Sequence, residues 1–307
     1  MELRHLRYFV AVAEELHFHR AAARLHMSQP PLSQQIRALE TELGVELLRR
    51  NRRRVELTEA GAAFLGEARG ILASVQQAGD LARRVARGEI GKLSVGFVGS
   101  AMYATVPEIL RAFRERHPDV ELQLRPFPTA PQLEALRDGR VDVGFLRPPV
   151  QRAGLEIETI QRETIVVALP TDHPLAGSSA AIAIGQLRNE TFVLLARTES
   201  PGVYDSLALT LSELAGNPRA VQEADDMQTL IGLVSAGIGV ALVPISVSLL
   251  ERPGVVYRRL SGRAPTVELA LAWRSGPVAP VVAAFLAVAR ALPEGRLSGR
   301  SGVTAAE

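Results

Sequence analysis

The sequence predicts an α+β multidomain chain: a small helical head with a two-stranded wing, one long helix, and an α/β body. Three observations carry this. Apolar residues up to Gly44 recur at helical spacing, interrupted twice by short breaks. Thr58 to Arg87 contains no proline and repeats its apolar residues in alternating steps of four and three. Beyond Gly88-Glu89-Ile90-Gly91, strand and helix patterns alternate for about 200 residues, which argues for parallel-rich sheets.

Composition sets bounds. At about 100–200 residues per domain, the 307 residues allow two or three domains. With 47% hydrophobic residues the chain can bury real cores. A formal net charge of only +2 means that any nucleic-acid footprint is local. The 35 basic residues are all arginine except Lys92, a bias of coding composition that by itself says little about DNA. The absence of cysteine excludes disulfides and thiolate chemistry and fits a reducing compartment. Met1–His5 has no apolar signal core, so no leader is expected. Met227 to Leu250 is uncharged and long enough to imitate a membrane span, but Gly232, Gly237, Gly239 and Pro244 divide it into helix, turn, strand and a new helix start. A cytoplasmic protein without membrane contact is the expectation.

The elements follow in order. Leu3, Leu6, Phe9, Val10, Ala13 and Leu16 form the stripe of a first helix. A second runs from Phe18 to His26, where Ala21, Ala22 and Ala23 permit close packing. Ser28 is placed to cap a third helix, with Pro30 and Pro31 in its first turn, where backbone N–H groups have no intrahelical partner. Leu32, Ile36, Leu39 and Leu43 face inward, and Gly44 stops the helix. Leu47–Thr58 reads as a two-stranded wing with Arg49–Arg54 at its tip. On the long helix, Phe64, Ala68, Ile71, Val75, Ala78, Ala82 and Val85 make a heptad seam, and so narrow a stripe packs on a copy of itself. A helix of roughly 30 residues is about 45 Å long. The body should hold strands at 93–98, 120–124, 141–145, 155–160, 164–169, 191–195, 220–223, 240–243, 256–259 and 267–273. Helices should fill 103–117, 131–138, 204–215, the segment from Met227 and 280–292. The domains are read as 1–58 for the head, 59–88 for the linker and dimerisation helix, 89–295 for the body and 296–307 for a flexible tail.

Arg20 to Glu40 has the layout of a helix-turn-helix, whose second helix enters the DNA major groove. Gln29, Ser33, Gln34 and Arg37 face out, with Pro30 on the same exposed turn, and are the candidate DNA contacts. Glutamine suits adenine, arginine suits guanine, and serine adapts. A polar helix face alone is ordinarily just solvated; the preceding helix, the turn and the wing are what shift the reading. Arg52, Arg53 and Arg54 would supply backbone or minor-groove affinity. His17-Phe18-His19 is no metal site, because residues two apart leave a helix on different faces and no Cys, Asp or Glu completes a set.

In the body, ligands of open α/β sheets bind beyond the carboxyl ends of strands, and helix N-termini favour anions. Gly99-Ser100, Thr129, Arg147 and Ser200-Pro201-Gly202 each follow a strand. Ser100 alone could be a plain helix cap. Together these positions converge on one cleft and point to a small anion, a carboxylate above all. Catalysis has no constellation here: Val98-Gly99-Ser100-Ala101 lacks the second glycine of a nucleophile elbow, and Gly237-Ile238-Gly239 lacks the third of a dinucleotide loop. No enzyme and no cofactor other than a small-molecule inducer is expected.

The chain resembles the LysR-type transcriptional regulators over nearly its whole length. The resemblance rests on Leu6-Arg7-Tyr8-Phe9-Val10-Ala11-Val12-Ala13, Ala21-Ala22-Ala23-Arg24-Leu25 and Ser28-Gln29-Pro30-Pro31-Leu32-Ser33. It extends through Leu39-Glu40, Leu43-Gly44, Leu47-Leu48-Arg49-Arg50 and Leu57-Thr58-Glu59-Ala60-Gly61. It implies a winged helix-turn-helix, a dimerising linker helix and a two-lobed effector domain like a periplasmic binding protein. It further implies a homotetramer built as a dimer of dimers on an interrupted palindrome in double-stranded promoter DNA, with RNA polymerase as a partner.

Val95–Ser100 and Val141–Pro149 look like the branch controlling aromatic-compound degradation, which senses muconate or benzoate-type acids. That branch places inducer contacts on Ser100, Thr129, Pro201, Gly202, Val203 and Met227, with Arg147 nearby. The chain departs from the pattern at Gln34, where many members carry arginine, and at Val203, where an aromatic often stands. Two other classes compete with a regulator: an enzyme on a binding-protein-like fold with an appended DNA module, and a small-molecule sequestering protein.

Overall fold

In a computed structural model of the protein, residues 1–50, 54–198, 201–214, 219–262 and 264–292 are described. Arg52, Arg53, Ser200 and the expected tail, 296–307, lie outside them. The chain divides into two units, Met1–Arg84 and Val85–Glu307.

The first unit holds α1 (Leu3–Glu15), α2 (Phe18–Arg24), α3 (Gln29–Leu43), the hairpin β1 (Leu48–Arg50) and β2 (Val55–Leu57), and all but the end of α4 (Glu59–Ala86). The inward stripes meet in one core around Phe9, Val12, Ala21, Leu32, Ile36, Leu39 and Leu47. The ends of the first stripe, Leu3 and Leu16, are exposed. Ser28 occupies the cap position of α3 without a side-chain hydrogen bond, and Gly44 ends the helix at φ +72°. Gly61, in the first turn of α4, lies so near the wing that a Cβ there would sit 2.0 Å from the Leu47 carbonyl oxygen.

The heptad seam splits along α4. Ala68 is fully buried in this unit's own core, and the Phe64 ring lies 5.2 Å from Phe9. Those two positions, read as part of a dimer seam, serve the head itself. Ile71, Val75, Ala78, Ala82 and Val85 are exposed.

The strands of the second unit are β3 (Gly91–Phe97), β4 (Val120–Pro126), β5 (Val143–Leu146), β6 (Leu155–Pro170), β7 (Thr191–Leu195), β8 (Arg219–Ala224), β9 (Ala241–Pro244), β10 (Val255–Arg259) and β11 (Thr266–Arg274). Seven of them make one sheet in the order β10-β6-β11-β5-β3-β4, with β9 also on β6. β7 and β8 form a parallel pair beside it. The pairing is mixed rather than parallel-rich. β3 is parallel to β4 and β5, while β11 is antiparallel to β5 and β6.

The two strands expected at 155–160 and 164–169 are one continuous strand. β6 pairs with β11 up to Thr164, then with β9 and β10 from Ile165 onward. Buried and exposed residues mix up to Thr164, and Ile165–Pro170 is buried throughout. The strand leaves a half-solvated sheet in one lobe and enters a fully covered one in the next, which changes its hydrophobic pattern midway. One lobe packs α5 (Thr105–Arg116) and α9 (Pro280–Ala291) on one face around Phe113, Phe145 and Phe285. It packs α6 (Thr129–Arg137) on the other face around Leu136 and Leu146. The other lobe carries α7 (Pro201–Leu214) and α8 (Met227–Ser235), with cores around Phe192 and Val166. The helix expected at 103–117 is α5, and the 3-10 turn Gly99–Tyr103 precedes it.

Candidate functional site

On α3, Gln29, Pro30, Gln34 and Arg37 are exposed and Ser33 is half-buried, while Leu32, Ile36 and Leu39 are fully buried. Steps of four and three put the outward residues on one face of the helix. The wing is braced against that helix by a pair which sequence reasoning missed. Glu40 Oε1 accepts the Leu47 and Leu48 N–H groups at 3.1 and 3.0 Å, and Glu40 Oε2 accepts Arg50 Nη2 at 2.7 Å. The Arg50 guanidinium also sits 4.9 Å over the Phe18 ring and reaches Ser33 Oγ at 3.4 Å. Glu40 thus fixes the angle between reading helix and wing, and Arg54 is exposed beyond it. The available signal was an acid beside the inward stripe, followed by an arginine beside the buried Leu47-Leu48.

α4 is tied to the head by charge as well as packing. Glu14 accepts Arg69 Nη2 and Arg24 Nη1, each at 2.7 Å. Hydrogen bonds from Arg69 and then Arg24 hold the Glu14 carboxyl below the usual glutamate range.

The second unit contains a cavity of about 270 Å³ between its two lobes. One lobe contributes Ser100, Phe127, Pro128 and Arg147 to its wall; the other contributes Leu195, Val203, Leu207, Asp226, Met227 and Leu230 among others. Arg147 is 4% exposed. Its Nε donates to Ser100 Oγ and its Nη2 to Glu163 Oε1, both at 2.9 Å, and its Nη1 is buried without a partner. Glu163 Oε2 accepts the Ser246 N–H at 3.2 Å, which carries the chain of hydrogen bonds into the second lobe. Ser100 is therefore no cap; its hydroxyl faces the arginine.

Ser100, Arg147, Val203 and Met227 are brought together in the cavity wall. Thr129 is 2% exposed at the start of α6, its hydroxyl buried and unpartnered, and it is not among the lining residues. Pro201 and Gly202 are half-buried at the start of α7, also outside the lining. Sequence reading missed Glu163 and Asp226. Asp226 caps α8 by accepting the N–H groups of Gln228 and Thr229, and an aspartate directly before a helical pattern was a legible cap.

Comparison with known proteins bears on both units. Residues 3–62 match the model described as bacterial regulatory helix-turn-helix protein, lysR family. Residues 86–293 match the LysR substrate binding domain. The chain belongs to the LysR family. It is 46% identical to the HTH-type transcriptional regulator AlsR of Bacillus subtilis, over 93% of this chain and 94% of that one. It is 40% identical to the HTH-type transcriptional regulator TfdS of Cupriavidus pinatubonensis, over 94% and 98%. The solved structure of CbnR, a LysR family transcriptional regulator, matches with a TM-score of 0.85 and 34% identity, covering 94% of this chain and all of that one. CbnR complexed with its target DNA matches with a TM-score of 0.80 and 34% identity, over 94% of this chain and 99% of that one.

These relatives are transcriptional regulators rather than enzymes, so this LysR-family chain is a DNA-binding transcriptional regulator with an effector-binding domain. Its fold is the expected one: a winged helix-turn-helix, a long helix and a two-lobed α/β domain. No helix among the described residues is long and apolar enough to cross a membrane.

Proposed function

We propose that this LysR-family regulator works in the cytoplasm as a homotetramer, a dimer of dimers, on an interrupted palindrome in promoter DNA. A small aromatic or dicarboxylic acid in the cavity would change its arrangement there and so its effect on RNA polymerase. The observation that carries DNA reading is the division of α3: its apolar side is sealed in the core while Gln29, Pro30, Gln34 and Arg37 face solvent. Pairing through Ile71, Val75, Ala78, Ala82 and Val85 would cover the exposed seam of α4 and present two reading helices to two half-sites. Ser100 and Arg147, with Val203 and Met227 beside them, supply the effector contacts.

An effector that favours one lobe arrangement shifts the oligomer only by its differential affinity for that arrangement. A gel-shift series on the promoter of the adjacent divergent gene tests this reading. Specific binding should fall by orders of magnitude between about 50 and 200 mM salt. Arg53→Ala should weaken binding to all sequences, and Gln34→Ala should change which sequences are preferred. Binding indifferent to salt and to both substitutions would refute it.

A further inference from the structure

The cavity's one cationic donor for a carboxylate lies at one end, in the lobe that carries Ser100. Arg147 is the single cation among its described lining residues, and the buried Glu163 carboxylate already matches its charge. What remains is donor capacity. Arg147 Nη1 is buried without a partner. The Ser100 oxygen accepts from Arg147 Nε, which leaves the hydroxyl hydrogen to give. One carboxylate satisfies both groups.

The wall in the second lobe is built differently. Val193, Leu195, Leu207, Leu230 and Leu242 are apolar, and the other charged lining groups are Asp225 and Asp226. Asp226 accepts the N–H groups of Gln228 and Thr229 at 2.8 and 2.9 Å, so two of the donors at the start of α8 are already spent on the chain's own anion. α7 opens on Pro201, which removes one of the backbone N–H groups that a helix start otherwise presents. The field of Asp226 reaches into the lobe junction, where it adds to burial in holding the Tyr103 phenol above its usual range. A ligand anion at this end meets the like charges of two exposed aspartates.

We propose that the effector is an amphipathic monocarboxylate and that the site turns away dicarboxylates. Arg147 and Ser100 hold the one carboxylate, the leucine-lined wall takes the apolar body, and Asp225 and Asp226 repel a second carboxylate. This rests on the reading of the cavity as an organic-acid site and narrows it. An apolar cavity of about 150 Å³ holds benzene. By that measure the present one takes a molecule of about ten non-hydrogen atoms.

Matched probes test it on the full-length protein by thermal shift and calorimetry. Sorbate and trans,trans-muconate share a six-carbon diene and differ by one carboxylate; benzoate and terephthalate form the aromatic pair. Sorbate or benzoate should raise Tm, and its dicarboxylate partner should bind at least about tenfold more weakly. Asp225→Asn with Asp226→Asn should narrow that gap, and asparagine still caps α8, so the fold is kept. Muconate or terephthalate binding as tightly as its monocarboxylate partner would overturn the proposal while leaving an acid-sensing cavity intact, as would a gap untouched by the asparagine pair. If none of the four carboxylates binds, both readings fall.

Discussion

Gly202, at the start of α7, lies against Pro149 of the opposite lobe so closely that a Cβ at 202 would stand 2.3 Å from the Pro149 carbonyl oxygen and 2.8 Å from its ring. The atoms in the way belong to backbone and a rigid ring, so neither side can yield locally. Gly202→Ala should therefore wedge the lobes apart. Alanine suits a helix better than glycine, so α7 itself gains. We expect DNA affinity to be retained and the effector concentration for half response to rise about tenfold or more, since closing the cavity around ligand now costs strain. A reporter dose–response beside a gel shift measures this, and an unchanged midpoint would show that the lobes need not close at this contact.

The Arg147–Glu163 pair is almost wholly buried, with side chains 5% and 3% exposed. Removing one member strands the other, at a cost of about 3–5 kcal/mol. Arg147→Met should thus lower stability sharply, and Arg147→Met with Glu163→Met should recover most of it while leaving the protein deaf to carboxylates. Urea denaturation and ligand-induced Tm shifts separate these effects. A double variant no more stable than the single one would mean that the pair is held by packing rather than by charge.

The two halves of the α4 seam should respond differently. Phe64→Ala removes a half-buried ring packed on Phe9, with an expected cost of about 2 kcal/mol. Ile71→Glu changes an exposed position, leaves the head folded and should break the oligomer. Sedimentation velocity with thermal unfolding distinguishes the two outcomes. An Ile71→Glu protein of unchanged assembly mass would place the copy-to-copy contact elsewhere.

The head was legible because its local signals agree. Period, cap position and glycine stop all point to α3, and the structure places its ends at Gln29 and Leu43. The seam was legible as a repeat but not as two uses of one repeat, since nothing in the spacing says whether Ala68 meets its own chain or another. In the body, the pattern of β6 changes midway because its surroundings change, and this reads as two strands. The same misreading hid Glu163, an acid among alternating polar residues that becomes buried only where the strand crosses between lobes. Ser100 and Arg147 were found as strand ends, but their contact across 47 positions is a product of topology.

Glu14 offers a test of how the long helix is anchored. It joins α1 to Arg69 of α4 and Arg24 of α2, and these hydrogen bonds hold its carboxyl below the ordinary glutamate value of about 4.3. A carboxylate lowered on folding adds stability that is complete above the unfolded value. That stability is lost as pH falls through the folded value. Glu14→Gln should accordingly be less stable than the parent at pH 7, and the difference should shrink once pH drops below about 4 and vanish in stronger acid. Urea unfolding across that range follows it directly. A deficit that stays constant down to acid pH would mean that glutamine disturbs packing and that the carboxylate's charge contributes nothing to docking α4.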